Sequence, residues 1–295
     1  MKTQKKGVLF VLAAGIFWGI IGIFVRMFGK YGLESLQVTF IRVIFSTLFL
    51  VAGTFLYNKK LLKIRLRDCW CFLGTGICGF TFFNYCYFTT MQYTSLSVAA
   101  VLLYTAPVIV MILSIFLFQE KLSVRKLGAF ALAFGGCVCS VGIFSGEVSL
   151  SFQGILLGLG SGLGYGLVTI FNRYALQRGY HSLTIVIYTM VFASIGTACI
   201  VDIKPVVQVL VKEPKLLPIC CLFAILCTIL PNLCYTLGME QMENGKAAII
   251  ASIEPIAATI TGVIAFQEGL DIFGVIGILF MIAALAILNQ KPGCS

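Results

Sequence analysis

The sequence predicts an all-α polytopic membrane protein of ten transmembrane helices, built as two inverted five-helix repeats. Three observations carry this. First, the 295 residues are 60% hydrophobic and 11% charged, with a mean hydropathy of +1.03; soluble proteins carry about 25% charged residues. Second, ten apolar runs are bounded by charge or turn residues, and crossing a bilayer takes about 20 residues per helix. Third, polar residues recur in register at one offset, 147 to 148 positions along the chain.

The first run, 7–27, follows MKTQKK. It is long for a signal-peptide core and shows no convincing cleavage site, so it reads as a span. It carries Gly15, Trp18 and Gly19. The second run, 36–57, encloses Arg42. The third, 69–91, places Asn84 and Tyr87 on one helical face. The fourth, 95–118, contains Tyr104 and Pro107 and closes on Phe118, Gln119 and Glu120. The fifth, 126–144, completes a first repeat, 1–145.

The sixth run, 154–174, opens the second repeat, 146–295, and presents Gly162, Tyr165 and Gly166. The seventh, 183–203, leads into the longest connection, near 204–215, where Pro205 and Pro214 read as a loop. The eighth, 216–239, carries Asn232 and Tyr235. The ninth, 246–266, holds Glu254 beside Pro255 near its middle, and 272–289 forms the tenth. Pro255 cannot donate a backbone hydrogen bond, so the Ala251 carbonyl loses its partner. A kinked helix with a free carbonyl and a carboxylate suits the wall of a polar cavity and suits a lipid-facing surface badly.

The repeat is explicit. Gly7, Gly15, Gly19, Phe24 and Arg26 recur as Gly154, Gly162, Gly166, Phe171 and Arg173. Asn84, Cys86, Tyr87 and Met91 recur as Asn232, Cys234, Tyr235 and Met239. Ala99, Pro107, Phe118, Gln119, Glu120 and Leu122 recur as Ala247, Pro255, Phe266, Gln267, Glu268 and Leu270. Shared apolar composition would give scattered matches, not Asn, Pro, Arg and Glu in register. Five helices is an odd number, so the second repeat enters the membrane from the opposite face, as in transporters that work by alternating access.

Loop charge sets the orientation. With the N-terminus in the cytoplasm, 15 Lys and Arg residues lie on the inner side, among them Lys59, Lys60, Lys63, Arg65, Arg67, Lys121, Arg125 and Lys126. Five lie outside: Arg26, Lys30, Lys204, Lys212 and Lys215. Both termini are therefore expected inside, with loops 58–67 and 119–125 inside and 145–152 outside. The expected location is a bacterial cytoplasmic membrane. The net charge of +10 belongs to these loops and does not indicate a nucleic-acid partner.

The 12 cysteines sit mostly in apolar runs with no Cys-x-x-Cys pair, and read as small buried residues. His181 is the only histidine. No metal site, cofactor, phosphate-binding loop or catalytic residue set is legible, so no enzyme is expected.

With these motifs in view, the chain resembles the drug/metabolite transporter superfamily, of the EamA type. The resemblance rests on Gly15–Trp18–Gly19 and Gly162–Tyr165–Gly166, on the proline-containing fourth and ninth helices, and on their Phe-Gln-Glu endings. It implies two five-helix halves around a central cavity that carries small metabolites, often outward.

The cavity candidates are Trp18, Arg42, Asn84, Tyr87, Tyr104, Tyr165, Asn232, Tyr235 and Glu254. Gly15, Gly19, Gly162 and Gly166 are expected to serve close helix packing, and Pro107 and Pro255 to kink their helices. Two readings of the polar residues stay open. The Asn–Tyr pairs either bond between helices or line the cavity. Glu254 either pairs with Arg42, or binds backbone, to hold the bundle, or it recognises a substrate or coupling proton. The first repeat has Ala106 at the position of Glu254, so this polar site is asymmetric. The expected function is a secondary transporter, an exporter of small metabolites such as amino acids. The alternatives are a cationic drug exporter and, from another class, a membrane-embedded enzyme or lipid-handling protein. The expected partners are a small-molecule substrate, the lipid bilayer and a coupling proton or other ion.

Overall fold

Prolines and glycines decide where these apolar helices stay straight and where they break. The structure is a computed structural model that describes residues 2–140, 151–267, 269 and 272–289. Several sequence expectations lie outside the described residues: Glu268, Leu270, Lys291, the end of the fifth helix past 140, most of loop 145–152, and the boundary between repeats at 145–146.

Among the described residues ten long helical rods follow one another: α1 (Lys5–Gly29), α2 (Ser35–Tyr57), α3 (69–93), α4 (Leu96–Phe118), α5 (Val124–Ser140), α6 (Phe152–Gln177), α7 (Ser182–Ile200), α8 (Pro214–Met239), α9 (Asn244–Phe266) and α10 (Ile272–Asn289). Among the described residues there is no strand. Seven rods, α1, α2, α4 and α6 to α9, are each long and apolar enough to cross a membrane, and Ile272–Leu288 is a shorter apolar helix. Large apolar side chains cover the outside, including Leu56, Phe116, Ile264 and Leu279. A water-facing surface would not carry so many, whereas lipid tails solvate them.

Contacts between rods obey one exchange rule. α1 packs on α8 and α9, while α6 packs on α3 and α4. α2 packs on α7, and α5 on α10. Swapping the two halves leaves this pattern unchanged, the signature of a two-fold relation between five-helix repeats. Backbone details repeat as well. Gly32 and Gly179 both have φ near 79°, and Gln119 and Gln267 both end their rods at φ 55°. Wide π-helical turns interrupt α3 at Gly74–Thr81 and α8 at Ile225–Ile229.

α4 and α9 each break before their proline. Tyr104 (ψ 8°) ends the first half of α4, and Ser252 (ψ 4°) ends the first half of α9. The reason is local: Pro107 and Pro255 lack an N–H, and their rings exclude the carbonyl one turn back. A glycine of the opposite half lies over each break. A Cβ on Gly15 would sit 3.1 Å from the Ala251 carbonyl oxygen and 2.3 Å from Ile253. A Cβ on Gly162 would sit 3.0 Å from the Leu102 carbonyl oxygen and 2.6 Å from the Thr105 hydroxyl. Without a hydrophobic driving force between helices in lipid, such close backbone approach supplies the packing energy.

One expectation needs revision. The predicted loop near 204–215 is mostly a helix, Ile203–Lys212, capped by the Asp202 side chain on the Lys204 N–H. Pro205 lies in its first turn, where no N–H is needed. The seventh helix correspondingly stops at Ile200 rather than 203.

The charge asymmetry makes orientation testable. Single cysteines at Lys121 and Lys212, both exposed, are expected to react with an impermeant maleimide from the cytoplasmic and outer sides respectively. Labelling in the reverse sense would invert the orientation.

Candidate functional site

The two wide turns place an amide at matched depth in each half. Asn84 Nδ2 donates to the Phe80 carbonyl at 2.8 Å, and Asn232 Nδ2 donates to the Thr228 carbonyl at 2.7 Å. Both acceptors belong to the wide turns. The remaining oxygens differ. The Asn84 oxygen accepts from Arg42 Nη2 at 3.2 Å, and the guanidinium lies 5.1 Å from the Phe80 ring centroid. The second half has Thr189 where the first has Arg42, and its hydroxyl is paired with Thr75 at 2.8 Å. Asn232 lines the space between the halves.

That space is a narrow cavity of about 50 Å³ at the middle of the bundle, where about 10–15 Å³ suffices to hold one water molecule. Aromatic rings make most of its wall. Trp18 of α1 stands between Tyr165 of α6 (6.2 Å between centroids) and Tyr235 of α8 (5.5 Å). Phe83 of α3 meets Tyr165 edge-on at 5.4 Å. The Tyr235 hydroxyl is bonded to Thr169 at 2.8 Å.

Glu254 opens the second half of α9, with Pro255 next to it. Its carboxylate thus sits at the start of a helix, where free N–H groups favour negative charge, and it lines the cavity with Arg42. No ion pair or hydrogen bond joins the two among the described residues; Arg42 is turned to Asn84 and Phe80 instead. The expectation of a bundle-holding Glu254–Arg42 pair is therefore not met at contact distance. Two opposite charges share one cavity and stay apart.

Of the nine cavity candidates, Trp18, Arg42, Tyr165, Asn232, Tyr235 and Glu254 line this space. Asn84 lies behind Arg42, almost fully buried. Tyr87 packs on Phe83 and Phe88, and Tyr104 is buried in the core; neither reaches the lining. Ile21, Phe80, Phe83, Val168 and Thr169 line it too. Spacing was the available signal for most of these: Ile21 is one turn from Trp18, Phe80 one turn from Asn84, and Thr169 one turn from Tyr165.

Comparison with known proteins follows this architecture. Residues 5–142 and 152–290 each match the EamA-like transporter family. A protein of Archaeoglobus fulgidus carrying the name uncharacterized transporter is 27% identical over 307 residues, covering 97% of both chains. The uncharacterized transporter YxxF of Bacillus subtilis is 29% identical over 210 residues, covering 68% of this chain and 62% of that protein. A solved crystal structure superposes with a TM-score of 0.77 at 14% identity, covering 97% of this chain and 96% of the other. That last likeness is one of fold.

Proposed function

The chain belongs to the EamA-like transporter family, and from that premise we propose that it is a secondary transporter that exports small metabolites such as amino acids. It works without ATP hydrolysis, by rocking the two inverted halves around the central cavity so that the cavity opens alternately to each side. One observation carries the substrate class: Glu254 and Arg42 line the same cavity without pairing. In a cavity widened by the rocking of the halves, a zwitterion satisfies both, its ammonium on the carboxylate and its carboxylate on the guanidinium, while the aromatic wall takes an apolar side chain. Charges this deep in a bundle are costly and mark substrate or ion paths. The same carboxylate is the candidate for a coupling proton. Export from the cytoplasm across the bacterial inner membrane is the direction proposed with the family.

A second reading is export of organic cations. It is favoured by Glu254 standing among Trp18, Tyr165 and Tyr235, since aromatic faces attract cations. Metabolite profiling of cells with and without the protein, followed by flux in proteoliposomes, separates the two. The expected result is lower intracellular and higher extracellular amino acid, with matching flux of the same solute. Flux of quaternary ammonium alone would select the second reading. No solute difference and no flux of either would overturn both.

A further inference from the structure

A polar network ties the halves together at one end of the bundle, between the central cavity and a wider opening. We infer that Glu120, Asn244 and Arg173 form the gate that closes this mouth of the cavity, with Glu120 as its positioning residue. The inference rests on the alternating-access reading above.

The geometry begins at the end of α4. Gln119 turns the chain left-handed (φ 55°), and the Glu120 N–H closes back on the Ser114 carbonyl at 3.1 Å. The Glu120 side chain then points across to the other half. Its two oxygens accept from the backbone N–H groups of Asn244 (2.7 Å) and Gly245 (3.3 Å), the first residues of α9. A carboxylate of one half therefore caps a helix of the other, where unfilled N–H groups and the helix dipole both favour it. The Asn244 side chain, itself fully buried, extends the tie. Its Nδ2 donates to Ser114 at 3.1 Å, and its oxygen accepts from Arg173 Nε. Arg173 also donates to the Met242 carbonyl. Lys126 of α5 lies 3.8 Å from Glu120 and pairs with Glu243 of the second half.

Position makes this network a partition. Arg173 lies one turn beyond Thr169, whose hydroxyl meets Tyr235 in the cavity. On its other side is an opening of about 520 Å³ lined by Glu120, Arg173, Gln177, Glu240 and Lys246, among others. Solute passing between cavity and opening must part α4 from the start of α9.

Two members of the network, Glu120 and Arg173, recur in the other repeat as Glu268 and Arg26, and the others do not. At the offset of 148, Leu96 stands where Asn244 does, Gly262 where Ser114 does, Gly274 where Lys126 does, and Ser95 where Glu243 does. Asn244, Ser114, Lys126 and Glu243 thus have no residue of the same chemistry at the equivalent positions of the other repeat.

The test uses the full chain with its native cysteines replaced and Thr169→Cys as a reporter of cavity access. A charged, impermeant thiol reagent is applied separately to each face. Glu120→Gln keeps shape and removes the charge-assisted bonds, so modification from the Glu120 face is expected to accelerate by about tenfold. An unchanged or slower rate overturns the gate. A second arm serves if that variant does not fold: Ser114→Cys with Asn244→Cys, oxidised to a cross-link confirmed by mass. The cross-link is expected to suppress reporter modification from that face and stop flux, both restored by reductant. Cross-linked protein with full flux, or with undiminished modification, overturns the gate. Labelling needs no solute, so it reads the gate even if the transport reading fails; that failure shows separately as absence of flux before oxidation.

Discussion

Glu254→Gln is expected to fold and insert normally and to lose transport by at least about tenfold, the worth of one charge-assisted hydrogen bond. The carboxylate makes no ion pair or hydrogen bond within the described residues, and Arg42 keeps its bond to Asn84, so removing the charge breaks no contact-distance pair. That separates it from an acid held for stability, whose loss typically costs 3–5 kcal/mol, on the order of values for broken buried pairs. The measurement is flux in proteoliposomes at matched protein amount, with thermal stability read in parallel. Unchanged flux in well-folded protein sinks the recognition role. Reduced stability with normal flux per folded molecule would return Glu254 to a structural one.

The largest stability effect is expected at Gly19. A Cβ there would lie 2.4 Å from Ala257 Cβ and 2.8 Å from both the Ala257 carbonyl carbon and the Ala258 nitrogen. Two of these atoms are backbone, so no side-chain rotation relieves the contact and α1 must move off α9. Gly19→Ala is expected to cost about 1–3 kcal/mol, as overpacking of a closed interface does. Gly22, one turn further on the same rod, has nothing within 4 Å of its would-be Cβ. Gly22→Ala is therefore expected to be neutral or to stabilise slightly, by about 1 kcal/mol at most from helix propensity. The ratio of melting midpoints in detergent decides it. Equal effects at the two positions would mean that the close approach at Gly19 carries no energy.

Much of this fold was legible because lipid imposes simple rules. Ten apolar runs and fixed-offset polar matches identify ten rods in two copies, and the prolines mark the breaks in α4 and α9. Other features escaped for physical reasons. The wide turns in α3 and α8 have no proline inside them and depend on tertiary packing, as where Gly76 meets Ala193 and Phe192. The helix Ile203–Lys212 was hidden by Pro205, a residue that breaks helices everywhere except in the first turn. At the site, residue type identified Trp18, Tyr165, Tyr235 and Glu254. It could not tell that Asn84 would turn Arg42 away from Glu254, because one amide oxygen aimed across a bundle leaves no trace in spacing. Tyr87 and Tyr104 share the chemistry of the lining residues but point elsewhere, which a linear pattern does not reveal. The sequence places Glu120 only at the end of its helix; its reach into the opposite half depends on the left-handed turn at Gln119.

Thr47 and Ser194 meet hydroxyl to hydroxyl at 2.8 Å, and they stand at equivalent positions, 147 residues apart. A hydroxyl both donates and accepts, so it can bond to its own inverted copy; two carboxylates or two ammonium groups there would repel. A single five-helix unit with such a residue has what it needs to associate with an upside-down twin, each chain being identical. What identical twins cannot have is Arg42 on one side against a threonine on the other, or Glu254 against an alanine. Those differences require the two halves to differ in sequence, so the polarity of the cavity is a property that a pair of identical units lacks.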